Sequence, residues 1–388
     1  MEDRKSKLKI LLRIVSYVLV AALASTATFF LFCRSTKLEK LENVIEERFI
    51  GEADTVYMED AAARAMVAAL GDRWSYYVSA AQHASYDEGK TNSYVGIGIT
   101  IMSREEGDGF DIIQVEPGGP AQEAGILPGD ILIEADGNAL QGTDTGVPSQ
   151  YIRGEKGTDV SIAVLRNGER LEFTVTRKVI QTAVAKGELL PGNVGYVKIV
   201  NFNTNCADHT LAEIEKLLEQ GAESFVFDVR NNSGGYVHEM AEVLDYLLPE
   251  GMLFQSLRYD GHKLEYTSDA DCLELPMAVL VNADSYSAAE FFAAALSEYD
   301  WAVVVGEPTC GKSYFQNTYE LGDGSAVALS VGKYYTPKGV SLQDAGGLTP
   351  DITVEVEAET AALIYAELMD YSQDPQLQAA IAALEEKG

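Results

Sequence analysis

Residues 282–316 read NADSYSAAEFFAAALSEYDWAVVVGEPTCGKSYFQ. Just ahead of them Met277 to Val281 is an unbroken apolar run, the pattern of a strand buried on both faces, and Asn282 to Tyr286 is the polar loop that closes it. From Ala288 to Leu296 the composition turns helical. Trp301 to Val305 is a second buried strand, and the loop Gly306 to Gly311 returns its end toward the first. Strand, loop, helix and strand in this order predict a layered α/β core.

Ser287 falls at the junction of loop and helix, where free backbone N–H groups and the positive end of a helix dipole stabilise a developing oxyanion. The same residues, Ser287-Ala288-Ala289-Glu290, also spell a capping box, S-x-x-E, in which a serine only caps its helix. Lys312, 25 residues later, weighs toward chemistry. A lysine desolvated on such a loop loses affinity for its proton and becomes a neutral amine able to take the proton of the Ser287 hydroxyl. Gln316, four residues on, is expected to hold that amine in position. A lone lysine is ordinarily a solvated surface residue, so the argument rests on the pair. Gly306-x-x-x-x-Gly311-Lys312-Ser313 also matches a phosphate-binding loop. That motif requires a helix to begin at the lysine, whereas Tyr314 to Tyr319 is aromatic and β-prone, which speaks against nucleotide binding.

The stretch resembles the catalytic segment of the carboxyl-terminal processing proteases, tail-specific serine peptidases of family S41 with a Ser–Lys dyad. In that family a serine followed by x-x-Glu precedes a Gly-Lys by this spacing, and a glutamine follows the lysine by four. Ser287, Lys312 and Gln316 match in type and interval. Ala289 stands where the family often has another serine and Cys310 where an aromatic is common; neither departure removes a group the chemistry needs. The resemblance implies a crotonase/ClpP-like α/β core. Upstream, Ser224 to Val229 reads as a buried strand ending in Arg230-Asn231-Asn232-Ser233-Gly234-Gly235, whose glycines either expose backbone N–H groups or merely turn the chain. The family pattern there is D-L-R-N-N-P-G-G, with Ser233 replacing the proline. By that resemblance Gly235 supplies one N–H of an oxyanion hole and Ala288 the other.

Residues 91–180 form a separate β-rich module. Tyr94-Val95-Gly96-Ile97-Gly98-Ile99 is a small-residue loop leading into a strand, and the later string P-A-x-x-A-G-x-x-x-G-D runs from Pro120 to Asp130. Together they resemble a PDZ domain. Gly96 and Gly98 let backbone N–H groups approach a free carboxylate, while the strand edge beside them pairs with an extended peptide. The alternative is a plain hairpin turn, which the second half of the pattern disfavours. Arg153 is a candidate for coupling peptide binding to the core, or else pairs with a surface carboxylate.

Composition bounds the rest. Sixty acidic against 29 basic side chains leave a net charge of −31, which disfavours a nucleic-acid role. Arg4, Lys5, Lys7, Lys9 and Arg13 precede an uncharged run from Ile14 to Cys33, about the length of one membrane span. The basic flank predicts a cytoplasmic N-terminus and an extracytoplasmic remainder. A cleaved signal peptide is the other reading, but apolar residues continue through Phe29 to Phe32, which favours a single-pass anchor in the cell membrane. The four cysteines, Cys33, Cys206, Cys272 and Cys310, show no C-x-x-C spacing, so neither a metal site nor a disulfide framework is indicated. Of the four histidines, His238 is the nearest candidate for a Ser–His–Asp triad, which the well-spaced lysine makes unnecessary.

The expected organisation is a tail and membrane helix over 1–34, a helical region over 35–90, a PDZ domain over 91–180, a peptidase core over 181–357 and a helical segment over 358–388. In the helical region Leu38, Leu41, Val44, Ile45 and Phe49 recur at helical spacing. By resemblance this region packs against the core or pairs with a second copy in a homodimer, and Asp72 to Tyr77 matches the family's turn after its second helix. The function implied is a membrane-anchored, extracytoplasmic serine endopeptidase acting on proteins or peptides with free C-termini, with no metal or organic cofactor. The competing reading is a catalytically inactive PDZ scaffold, against which the intact Ser287–Lys312–Gln316 set speaks.

Overall fold

The structure, a computed structural model, describes residues 15–22, 36–104, 107–142 and 144–387. It divides into two compact units, Met1–Gly71 and Asp72–Gly388. Within the first, residues 15–22 are helical and the rest of the anchor expected over 14–33 lies outside the described residues. Among the described residues no helix is long and apolar enough to cross a membrane. Two capped helices follow. Thr36 and Glu39 close a reciprocal capping box on Lys37–Arg48, and Asp54 accepts the Tyr57 N–H to start Thr55–Ala68. The apolar stripe of the first helix faces that of the second across a groove of about 520 Å³ lined by Leu38, Leu41, Ile45, Met58 and Met66.

In the second unit the PDZ module is a sheet of Ile99–Ser103, Phe110–Val115, Ile131–Ala135, Asp159–Arg166 and Glu169–Thr176 in that spatial order, which leaves Ile99–Ser103 at an edge. Phe110, Ile112, Leu132, Ile162 and Val164 fill its interior. The G-D of the sequence string has a packing reason. Asp130 is buried; burial alone pushes its carboxyl up, but the two-pronged grip of Arg166 (2.6 and 2.7 Å) and the Leu127 N–H outweigh that and hold it below the usual range. Ser93–Gly96 pairs with Lys178–Gln181, so the chain enters and leaves the module side by side.

The core is a six-stranded sheet ordered Ala185–Leu190, Val194–Ile199, Ser224–Asp228, Met277–Val281, Ala302–Gly306 and Ile352–Thr353, all parallel after the first pair. Side chains alternate between its faces as the strand period requires. Phe225, Phe227, Met277 and Val279 meet the helices Cys206–Glu219, Val237–Leu247 and Ala288–Glu298. Val226, Ala278 and Leu280 meet Leu377, Ala380 and Leu384 of the C-terminal helix Pro375–Lys387. A second sheet joins Tyr314–Glu320, Ala326–Tyr335, Gly251–Arg258 and Lys263–Ser268, and takes in Tyr76–Val78, a short strand inside the stretch read from sequence as helical. The loops leaving the carboxyl ends of three parallel strands, at 229–236, 282–287 and 307–313, converge, and such a crevice is where open α/β sheets bind ligands.

Candidate active site

Ser287 caps the helix Ala288–Glu298 with φ 59° and ψ −126°. A β-carbon disfavours that backbone, and such strain persists only where the surroundings over-determine it. Here they do. The Ser287 N–H donates to Glu290 Oε2 at 2.9 Å, Tyr286 N–H to the Asn232 carbonyl at 3.1 Å, and the Ser285 hydroxyl to the Val229 carbonyl at 2.7 Å. The loop carrying the serine is thereby laced to the loop after Asp228.

That neighbouring loop carries the two glycines. Gly234 and Gly235 have φ of 85° and 153°, a region that favours glycine. A β-carbon on Gly234 would stand 2.8 Å from Ser287 Cβ and 2.9 Å from the Ala288 nitrogen, and one on Gly235 would stand 2.3 Å from the Phe202 carbonyl carbon. The loop therefore lies directly beside Ser287 and Ala288. The Gly234 N–H is taken by Asn232 Oδ1 at 2.8 Å, whereas among the described residues neither the Gly235 nor the Ala288 N–H has an acceptor. Asn232 also donates to the Ile199 carbonyl at 2.8 Å, so the bend is fixed although Ser233 replaces a proline. At the loop's root Arg230 forks to Asp228 on one side and Asp374 on the other, all three buried. Burial pushes the Asp228 carboxyl up, but the Arg230 guanidinium overrides it and the pKa lies below the usual range.

Lys312 enters from the third loop. Its N–H and that of Gly311 donate to Glu290 at 2.7 and 2.6 Å, and the Thr309 hydroxyl adds a 2.5 Å bond to the same carboxylate. Glu290 thus accepts four hydrogen bonds and ties the backbones of Ser287 and Lys312 to one buried group. Burial of the Lys312 amine lowers its pKa to about 8; Lys90 repels the charge further, while Cys310, Glu290 and Asp72 oppose the shift. The side chain does not reach Ser287: among the described residues no hydrogen bond joins the two. Its Nζ instead lies 4.8 Å from the centre of the Trp74 ring and 5.6 Å from that of Tyr286.

Gln316, expected to hold the lysine amine, does not bond to it. A bulge in the strand Tyr314–Glu320 turns its amide onto the Tyr314 carbonyl (3.1 Å) and the Ser330 hydroxyl (3.0 Å). Ser330 in turn donates to Asp72, which also accepts the Ser75 hydroxyl at 2.6 Å and the Trp74 N–H at 3.1 Å. Burial raises the Asp72 pKa, but these donors outweigh it and leave it below the ordinary value. From sequence, residues 72–77 are expected only as the turn after the second helix. The signal available there was Asp72-x-Trp74-Ser75, the spacing of an Asx turn.

His238 is exposed and stacked on Tyr236, with 5.3 Å between ring centres, rather than set against Ser287. A strand, not a helix, follows Lys312. Cys310 receives a 3.1 Å contact from Arg73. Among the described residues no cluster of His, Cys, Asp or Glu suits a metal ion. In the PDZ module, Tyr94, Gly96, Ile97, Gly98 and Ile99 line a groove of about 290 Å³ between the edge strand and the helix Gly146–Ile152. Val95 is not in the lining; it pairs with Val179. Arg153 stands at the groove's end with its guanidinium 5.0 Å over the Tyr94 ring.

The model of peptidase family S41 matches residues 193–354, and that of the PDZ domain residues 95–176. The chain is 32% identical over 325 residues to the chloroplastic carboxyl-terminal-processing peptidase 2 of Arabidopsis thaliana, spanning 80% of this chain and 62% of that protein. It is 31% identical over 326 residues to the carboxyl-terminal-processing protease of Synechocystis sp., spanning 82% and 75%. Among solved structures, a Bacteroides fragilis protein assigned to the S41 proteases superposes with a TM-score of 0.57 at 18% identity, over 88% of this chain and 93% of that one, a likeness of fold.

Proposed function

This chain belongs to the carboxyl-terminal processing proteases of peptidase family S41, serine endopeptidases, and on that premise we propose that Ser287 and Lys312 form its catalytic dyad. Ser287 attacks the scissile carbonyl. Neutral Lys312 takes the hydroxyl proton and returns it to the leaving amine, so the proton count closes over the acylation half-reaction. The N–H groups of Gly235 and Ala288 receive the oxyanion. The observation that carries the reading is Glu290, whose one carboxylate fixes both backbones of the proposed dyad. In this scheme the lysine must swing off the aromatic rings to reach Ser287, and Gln316 steadies the turn beneath it rather than the amine itself. Protein tails enter through the PDZ groove, where Gly96 and Gly98 let backbone N–H groups approach a terminal carboxylate and Ile97 and Ile99 suit an apolar last residue. Residues 14–33 anchor the protein in the cell membrane with the N-terminus inside, a reading supported by their uncharged length and basic flank.

The experiment is cleavage of a loosely folded protein by the full chain, with substrate tails ending in a free carboxylate or an amide, beside Ser287→Ala and Lys312→Ala. Cleavage should vanish in both variants, weaken at least tenfold for the amide, and rise with pH to a plateau above about 9, because the neutral fraction of Lys312 grows through its lowered pKa of about 8. Tail binding without turnover by the unaltered chain would favour the inactive scaffold, a reading to which the separation of Lys312 from Ser287 lends its one support.

A further inference from the structure

We propose that Trp74 is a positioning residue that seats the ammonium form of Lys312 on its ring, holding it off Ser287 until the proton leaves. The inference rests on the reading of Lys312 as general base. Its geometry is the approach of Nζ to the Trp74 ring at 4.8 Å, supported by Tyr286 at 5.6 Å, with no hydrogen bond to the nucleophile. A ring attracts the ammonium through its quadrupole and has no such hold on the neutral amine. The seat therefore discriminates between the two protonation states of one side chain.

Two features of the turn say that a tryptophan is there for its face. Its indole N–H is buried and, among the described residues, has no acceptor, a cost that phenylalanine or leucine would avoid. The turn is also braced from both sides: Asp72 holds the Trp74 N–H and the Ser75 hydroxyl, and Arg73 lies 4.1 Å from the Trp74 ring centre while reaching Cys310 on the lysine's own loop. The groups that bear on the amine are Lys90 from the helix Ala80–Thr91, Asp72 from the turn, Tyr286 and Glu290 from the serine side, and Cys310 from its own loop, while Arg73 lies over the same Trp74 ring. Burial and Lys90 disfavour the charged form while Cys310, Glu290 and Asp72 favour it, so the ring acts on a balance that several groups already share.

The chain has two tryptophans. Trp301 precedes the strand Ala302–Gly306, at the end of the sheet away from the site, and donates to the Leu273 carbonyl. In the full-length Trp301→Phe protein, Trp74 can thus be replaced uniformly by indoles carrying one to four ring fluorines, which weaken the ring's hold on a cation at nearly constant shape and burial. The pKa of Lys312 is read from its rate of amine labelling against pH by mass spectrometry, which needs no catalysis, and the acid limb of kcat/KM is followed in parallel. Both should move stepwise to lower pH, by about half a unit to one unit across the series, with labelling at pH 7 rising roughly three- to tenfold. A flat series, or one that moves upward, overturns the seat and leaves Trp74 as packing. Persistence of cleavage in Lys312→Ala overturns instead the dyad on which the inference rests, and the labelling series tells the two failures apart.

Discussion

Glu290 has no exposed surface, yet the serine, the lysine and the loop between them all depend on it. Glutamine at this position keeps the shape but turns one acceptor into a donor facing two backbone N–H groups. We expect Glu290→Gln to lose about 100-fold or more in kcat, since misplacement on the scale of 1 Å costs that much, and to lose about 2–4 kcal/mol of stability from donors left unpaired in the interior. Single-turnover kinetics and urea unfolding check the two separately; full activity in a stably folded variant would remove Glu290 from the positioning role. The sequence exposed this residue as the end of a capping box, and the box is real in that Glu290 takes the Ser287 N–H. What local spacing cannot reveal is that Thr309, Gly311 and Lys312 arrive at the same carboxylate from beyond the next strand. Gln316 illustrates the converse. Its interval from Lys312 was legible, but a bulge decides where the amide points, and bulges are set by the partner strand.

Among the elements, the buried strands were plain from their apolar runs, because each is covered on both faces. Tyr76–Val78 was hidden: three residues carry no periodicity, and its partner Ala326–Ala328 lies far along the chain. Equally hidden was the use of the C-terminal segment, whose Asp374 and Gln376 reach Arg230 at the root of the glycine loop (2.8 and 2.9 Å). Removing one partner from a buried charge leaves the remainder under-compensated. Asp374→Ala should therefore cost about 2–4 kcal/mol, loosen the helix Pro375–Lys387 and lower turnover through the displaced loop. Thermal unfolding, together with limited proteolysis of the C-terminal segment, measures this; an unchanged midpoint would mean that Asp228 alone suffices for Arg230.

At the scale of the whole molecule, the acidic balance of the residues beyond the basic N-terminal segment sets the proposed ectodomain against anionic lipid, so on the proposed reading attachment to a membrane falls to residues 14–33. The full chain should then sediment with membranes and resist extraction by high salt and carbonate, while a chain beginning at residue 35 stays in the soluble fraction; recovery of the full chain in the soluble fraction would end the anchor reading. The PDZ module and the core each bury their own apolar cluster, but the peptidase half is not continuous in sequence. Its second sheet is completed by Tyr76–Val78 from before the module, and its glycine loop is clamped by Asp374 near the chain's end. Pairing the first of these closes a loop of about 250 residues, whose entropy cost is met only once the distant strand exists. During synthesis the PDZ module can therefore fold on the ribosome while the hydrolytic centre is still in pieces. The proposed hydrolytic centre therefore assembles late, only once the segment carrying Asp374 has joined the root of the glycine loop.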